Sequence, residues 1–156
     1  ELTSIKRQRT SIMMKIEPLD ENLNYMYSFG RLDAYNPFIG GFVHESTKYG
    51  TFKRFKNTIT KIYSLEVSEK TYNKIIKTIK KIEIDKDTYK FNLIGLFAVA
   101  LNLRIKRKKC FYCAEFVKYV LDSSNLNLNL PDIIKPEDFD KINGASLVYS
   151  GKLMEF

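Results

Sequence analysis

The sequence predicts an α+β domain in which short strands come before and after a helical middle. Three observations carry this. Residues 60–67 alternate apolar and polar side chains with the period of a half-buried strand. Two stretches, 72–82 and 113–121, instead place apolar residues on one helical face. Glycine and proline keep the other strand-like runs short. The arrangement expected is a small antiparallel sheet packed against about three helices, with residues 1–156 forming one domain.

Taken in order, residues 11–16 read as a strand, followed by a turn through Glu17, Pro18, Leu19 and Asp20. Residues 24–29 form a second strand rich in aromatics, and 30–41 a loop marked by Gly30, Pro37, Gly40 and Gly41. Residues 41–45 and 51–55 suit a hairpin around Lys48, Tyr49 and Gly50, and 60–67 follow as a strand. Ser68 is a good N-cap, with Glu69 in the first turn of a helix whose buried stripe is Tyr72, Ile75, Ile76, Ile79 and Ile82. A second helix over 88–101 is apolar nearly all round and is expected at the centre, with Gly95 admitting a neighbouring backbone. A basic loop then leads to a helix that starts at Cys113 and ends near Ser123, Ser124 and Asn125. Residues 131–139 read as loop with a short turn at Pro136, and 145–149 and 152–156 as closing strands around Gly151.

Composition narrows the functional classes. A chain of 156 residues with 44% hydrophobic and 28% charged side chains suits a globular domain with an adequate core. The net charge of +8 favours anionic partners or a solvated basic surface. Cys110 and Cys113 are too close for a disulfide framework. With no second cysteine pair and His44 as the single histidine, a four-ligand zinc site is excluded, and no metal or cofactor is implied. Bulky Phe111 and Tyr112 between the cysteines fit a thioredoxin-like redox motif poorly.

The longest apolar run, 93–103, is interrupted by Gly95 and Asn102 and falls short of a bilayer span, so no transmembrane segment is expected. No signal peptide is visible, which favours the cytoplasm, and the chain begins at Glu1 rather than Met, as a trimmed fragment would. Gly30, Gly40 and Gly41 lack the Gly-Lys-Ser/Thr of a phosphate loop. Asp132, Glu137, Asp138 and Asp140 lack a calcium-loop pattern. Tyr35, Tyr49, Phe52 and Phe55 interleave with Lys48, Lys53, Arg54 and Lys56, a mix compatible with single strands or lipid head groups, but no specific nucleic-acid motif accompanies it.

Cys113 is the leading candidate for chemistry. It opens the helix whose face is Phe116, Val117, Val120 and Leu121, so its sulfur points toward whatever that helix packs on. Unsatisfied N–H groups at a helix N-terminus favour a thiolate there, and the run from Arg104 to Lys109 adds potential of the same sign. The plain alternative is a small buried apolar residue.

Four segments occur in order: Tyr27-Ser28-Phe29-Gly30-Arg31, Asn36 through Gly40-Gly41 to His44-Glu45, Tyr89-Lys90-Phe91-Asn92-Leu93-Ile94-Gly95-Leu96, and Tyr112-Cys113-Ala114-Glu115-Phe116-Val117. Together, and with Pro136-Glu137-Asp138-Phe139 and Tyr149-Ser150-Gly151-Lys152-Leu153, they resemble a bacterial branch of the circularly permuted papain-like superfamily. That superfamily includes NlpC-type cell-wall peptidases and lecithin–retinol acyltransferase-like enzymes. The resemblance implies a cysteine at a helix N-terminus facing a histidine on a neighbouring strand, with a polar third residue orienting the imidazole. The base takes the thiol proton, the thiolate attacks an acyl carbon, and the imidazolium protonates the leaving group.

By that resemblance Cys113 is the nucleophile and Glu45 the polar third residue. The substrate implied is a peptide or lipid acyl bond, and an anionic one would suit the net charge. In relatives the histidine lies on the strand before the Tyr27 segment, where Ser11, Ile12, Met13 and Met14 stand here. His44 is the only substitute base, and in a regular strand it and Glu45 point to opposite faces. Two readings follow: a cysteine-dependent amidase, peptidase or acyltransferase, or a catalytically inactive papain-like domain that binds a ligand or protein partner. A basic nucleic-acid module is a third, marked by a steep salt dependence of binding.

Overall fold

A computed structural model of the chain describes residues 25–32, 36, 39–46 and 59–152, and of Tyr25, Glu45 and Ser46 the backbone alone. The expected strand at 11–16, the turn after it, and the hairpin partner at 51–55 lie outside the described residues. Strands β1 (Tyr25–Arg31) and β2 (Gly40–Ser46) form an antiparallel ladder with Tyr27 opposite His44, Phe29 opposite Phe42 and Gly30 opposite Gly41. The expected loop is therefore shorter than 30–41, because pairing continues through Gly30 to Arg31 and resumes at Gly40. Glycine is required at position 40. A Cβ there would lie 2.6 Å from the Gly30 carbonyl oxygen and 2.7 Å from Phe91 Cβ.

β3 (Ile59–Leu65) pairs antiparallel with β6 (Ala145–Lys152), with a register shift between Ile62 and Tyr63. β6 runs unbroken through Gly151 where the sequence suggested two strands, and residues 153–156 lie outside those described. α1 (Glu69–Ile84) starts where expected: the Ser68 hydroxyl accepts the Thr71 N–H at 3.3 Å. Of its predicted stripe, Ile75, Ile79 and Ile82 are buried, while Tyr72 and Ile76 lie partly open at the margin.

The continuous helix expected over 88–101 does not form. A 3-10 turn (Lys86–Thr88) leads into β4 (Lys90–Phe91), and only then does α2 (Leu93–Ala100) begin. The cause is Asn92, whose side chain accepts the Gly95 N–H at 3.0 Å and so starts the helix at Leu93. β4 pairs in parallel with β5 (Cys110–Phe111), Lys90 opposite Cys110 and Phe91 opposite Phe111. Parallel pairing needs a crossover connection, which α2 and the basic loop supply. The described strands thus form three separate two-stranded ladders, one of them parallel, in place of a single antiparallel sheet; the α+β class stands.

α2 is not central either. Only Gly95 and Ala98 are buried, whereas Ile94, Leu96 and Phe97 are exposed. Gly95 also serves a purpose other than the expected backbone approach: a Cβ there would collide with Asn92 Nδ2, so its bareness leaves room for the capping amide. The centre is α3 (Cys113–Ser123), whose Ala114, Phe116, Val117, Val120 and Leu121 are buried. Phe116 lies 5.1 Å from Phe29 and 5.8 Å from Phe42, ring to ring, and thereby docks α3 on the β1–β2 ladder. The Ile75, Ile79 and Ile82 face of α1 joins the same core, with Phe139 of the 3-10 turn Pro136–Lys141. No helix among the described residues is long and apolar enough to cross a membrane.

Candidate functional site

Two of the segments singled out in the sequence lie side by side. β4 and β5 run in parallel, and each leads directly into a helix N-terminus: Phe91 into Asn92 and α2, Phe111 into Tyr112 and α3. One network joins the two helix starts. Glu115, at the third position of α3, accepts the Tyr112 N–H at 3.2 Å and an Asn92 Nδ2 proton at 3.1 Å on the same oxygen. Asn92 donates its other amide proton to the Ile105 carbonyl at 3.2 Å. The Asn92 side chain is fully buried with its amide engaged at both ends, as burial demands.

Burial pushes the Glu115 carboxyl above its ordinary range, and the Asn92 bond, the Tyr112 N–H and the Arg104 and Lys106 charges hold it back. Tyr112 is buried and its hydroxyl donates to the Ile134 carbonyl at 2.9 Å, tying the start of α3 to the loop before the 3-10 turn. Burial raises its phenol too, with the neighbouring Glu115 and Cys113 charges acting in the same direction.

Cys113 is the first residue of α3, a free thiol partly open to solvent. Its sulfur accepts and donates no hydrogen bond among the described residues. Cys110 is also free but buried in β5. His44 stands on β2 with its ring edge-on to Tyr27 at 5.1 Å and to Phe42 at 5.3 Å. Its Nε2 lies 3.0 Å from Glu83 Oε1 of α1, both side chains about two-fifths exposed (39% and 42%). No hydrogen bond joins His44 to the Cys113 thiol. Glu45 follows on β2 opposite Met26. Ser11, Ile12, Met13 and Met14, where relatives would carry their histidine, lie outside the described residues.

The structure thus brings Asn92, Tyr112 and Glu115 together around the start of the Cys113 helix, and pairs His44 with Glu83. Sequence reasoning assigned no role to Asn92, Glu115 or Glu83. The first two carried a signal: an Asn before an apolar run, and a Glu three residues after the N-cap position. Glu83 carried none, because its partner comes from a strand distant in sequence. Among the described residues no group of three or more His, Cys, Asp and Glu side chains is placed to hold a metal ion. Compared with known proteins, the chain matches no family model, no curated protein and no solved structure.

Proposed function

We propose that the chain is a permuted papain-like domain in which the Cys113 thiol acts as the nucleophile of an acyl transfer, as an amidase, peptidase or acyltransferase on a peptide or lipid acyl bond. The observation that supports this reading is the position of Cys113: a free thiol on the partly exposed first residue of a helix whose start is hydrogen-bonded through Glu115, Asn92 and Tyr112. Such a thiolate attacks an acyl carbon and forms a thioester; the amine or alcohol leaves with a proton, and water or a second acceptor then takes the acyl group. His44 is the only imidazole of the chain and hence its candidate base; Glu45, given the orienting role by resemblance, is the alternative to it, since successive residues of one strand serve opposite faces.

A second reading, an inactive domain that binds a ligand or protein partner, is favoured by one observation. The His44 imidazole is held by Glu83 and not by Cys113. Turnover of amide and lipid-ester substrates, followed with mass spectrometry of the intact chain, separates the two. The enzyme reading expects an acyl adduct on Cys113, abolished turnover in Cys113→Ala, a loss on the order of a hundredfold in His44→Ala, and little change in Cys110→Ala. Absent turnover from a chain whose Cys113 still alkylates would leave the binding reading.

A further inference from the structure

The stretch from Leu93 to Lys109 contains no acidic residue and carries five basic ones, Arg104 and Lys106 to Lys109. In the fold it forms α2 and the loop that follows, and residues 100–109 are exposed without a break. Ile94, Phe97 and Leu101 recur at helical spacing along one stripe and are 51%, 67% and 74% exposed. Leu103 and Ile105 continue the apolar surface at 55% and 40%.

The geometry of the loop keeps them there. α2 ends in a Schellman turn: the Leu103 N–H bonds the Ala98 carbonyl, the Asn102 N–H bonds the Val99 carbonyl, and Asn102 takes a φ of 56°. Arg104 is held by Asp132 at 2.7 Å and Lys109 lies over the Tyr89 ring. Lys106, Arg107 and Lys108 form no ion pair with any described residue.

An exposed apolar helix stripe bordered by unpaired cations has one natural complement, an interface that is apolar below and anionic above. We infer that α2 and the 101–109 loop dock the protein on an anionic phospholipid surface. Ile94, Phe97 and Leu101 enter the acyl boundary, and Lys106, Arg107 and Lys108 meet the head-group phosphates. An eight-residue helix is about 12 Å long, against a hydrocarbon core of about 30 Å, so it lies in the interface and does not span it. A second copy is the poorer occupant, since a two-fold pairing on this face would bring two identical basic runs together. Nucleic acid could stack a base on Phe97 but would leave Ile94 and Leu101 uncovered. The inference does not depend on Cys113 being a nucleophile.

The test is co-sedimentation of the full chain with vesicles of phosphatidylcholine alone and of equimolar phosphatidylcholine and phosphatidylglycerol. Binding is expected to the anionic vesicles only. It should weaken about fivefold for each charge reversal among Lys106→Glu, Arg107→Glu and Lys108→Glu, and at least about tenfold in Phe97→Asp/Leu101→Asp. The chain has no tryptophan, so Phe97→Trp gives a single conservative reporter whose emission should shift to the blue on anionic vesicles. Three results would overturn the inference: no sedimentation of the wild-type chain, no shift of the Phe97→Trp emission, or a dimer in light scattering that Phe97→Asp/Leu101→Asp dissociates.

Discussion

At the scale of single residues, the chemistry around the α3 N-terminus is governed by burial. Cys113 is partly open while Cys110 is buried at 9% exposure, so limited iodoacetamide treatment followed by peptide mapping should label Cys113 first. Equal labelling would show that the thiol is not presented. Loss of the Asn92 side chain should be felt at both helix starts. Asn92→Ala removes the α2 cap and leaves the Glu115 carboxylate short of a donor, a combined cost of about 2 to 4 kcal/mol readable in chemical denaturation.

Glu115 itself ties stability to pH. Its carboxyl is raised above its ordinary 4.5 in the fold, chiefly by burial, so the folded state holds the proton more tightly than the unfolded chain. That contribution is full below pH 4.5 and is lost as pH rises through the raised folded value. Both hydrogen bonds end on one oxygen, which Gln also offers. Glu115→Gln should therefore keep the network, and the gap in Tm between it and the wild-type chain should shift in favour of Gln from pH 4.5 toward neutrality. A gap that stays constant across that range would contradict the assignment.

At the scale of elements, two glycines in neighbouring positions differ sharply in what they permit. A Cβ on Gly40 meets the Gly30 carbonyl oxygen and Phe91 at under 3.0 Å, where β2 packs against β4, whereas a Cβ on Gly30 finds only Val43 Cγ2 at 3.8 Å. Gly40→Ala should destabilise by roughly 1–3 kcal/mol and Gly30→Ala by much less, a contrast that thermal unfolding of the two variants reads directly. The His44–Glu83 pair straps β2 to α1, but both side chains are well exposed and the pair is worth at most about 1 kcal/mol. A marked loss of turnover in His44→Ala with a nearly unchanged Tm would therefore point to chemistry and not to this strap.

At the scale of the whole molecule, the core gathers on α3 and not on the more apolar α2. Phe29, Phe116, Val120 and Ile134 are fully buried around α3, and α1 and the β1–β2 ladder close on it. Native-state hydrogen exchange should accordingly find its slowest amides in the middle of α3, with those of α2 exchanging faster. The reverse order would restore the layer arrangement that apolarity alone suggests.

Much of this was legible in the sequence, because it depends on near neighbours. The Ser68 cap, the isoleucine stripe of α1, the start of α3 at Cys113 and its buried face all follow from spacings of three and four residues, and the structure keeps them. α2 shows the limit. Its residues are apolar on every side, so periodicity does not say which side is covered; the Asn92 cap that starts it is local, but Glu115 and Ile105 hold that side chain from far along the chain. The parallel pairing of β4 with β5 and the tie between His44 and Glu83 join residues far apart in the chain, where local spacing carries no information. The sequence by itself determined where α1 and α3 begin and which thiol heads α3. Only tertiary structure decided which helix is the core and which partner takes the single imidazole, because both rest on contacts that exist only once distant segments have packed.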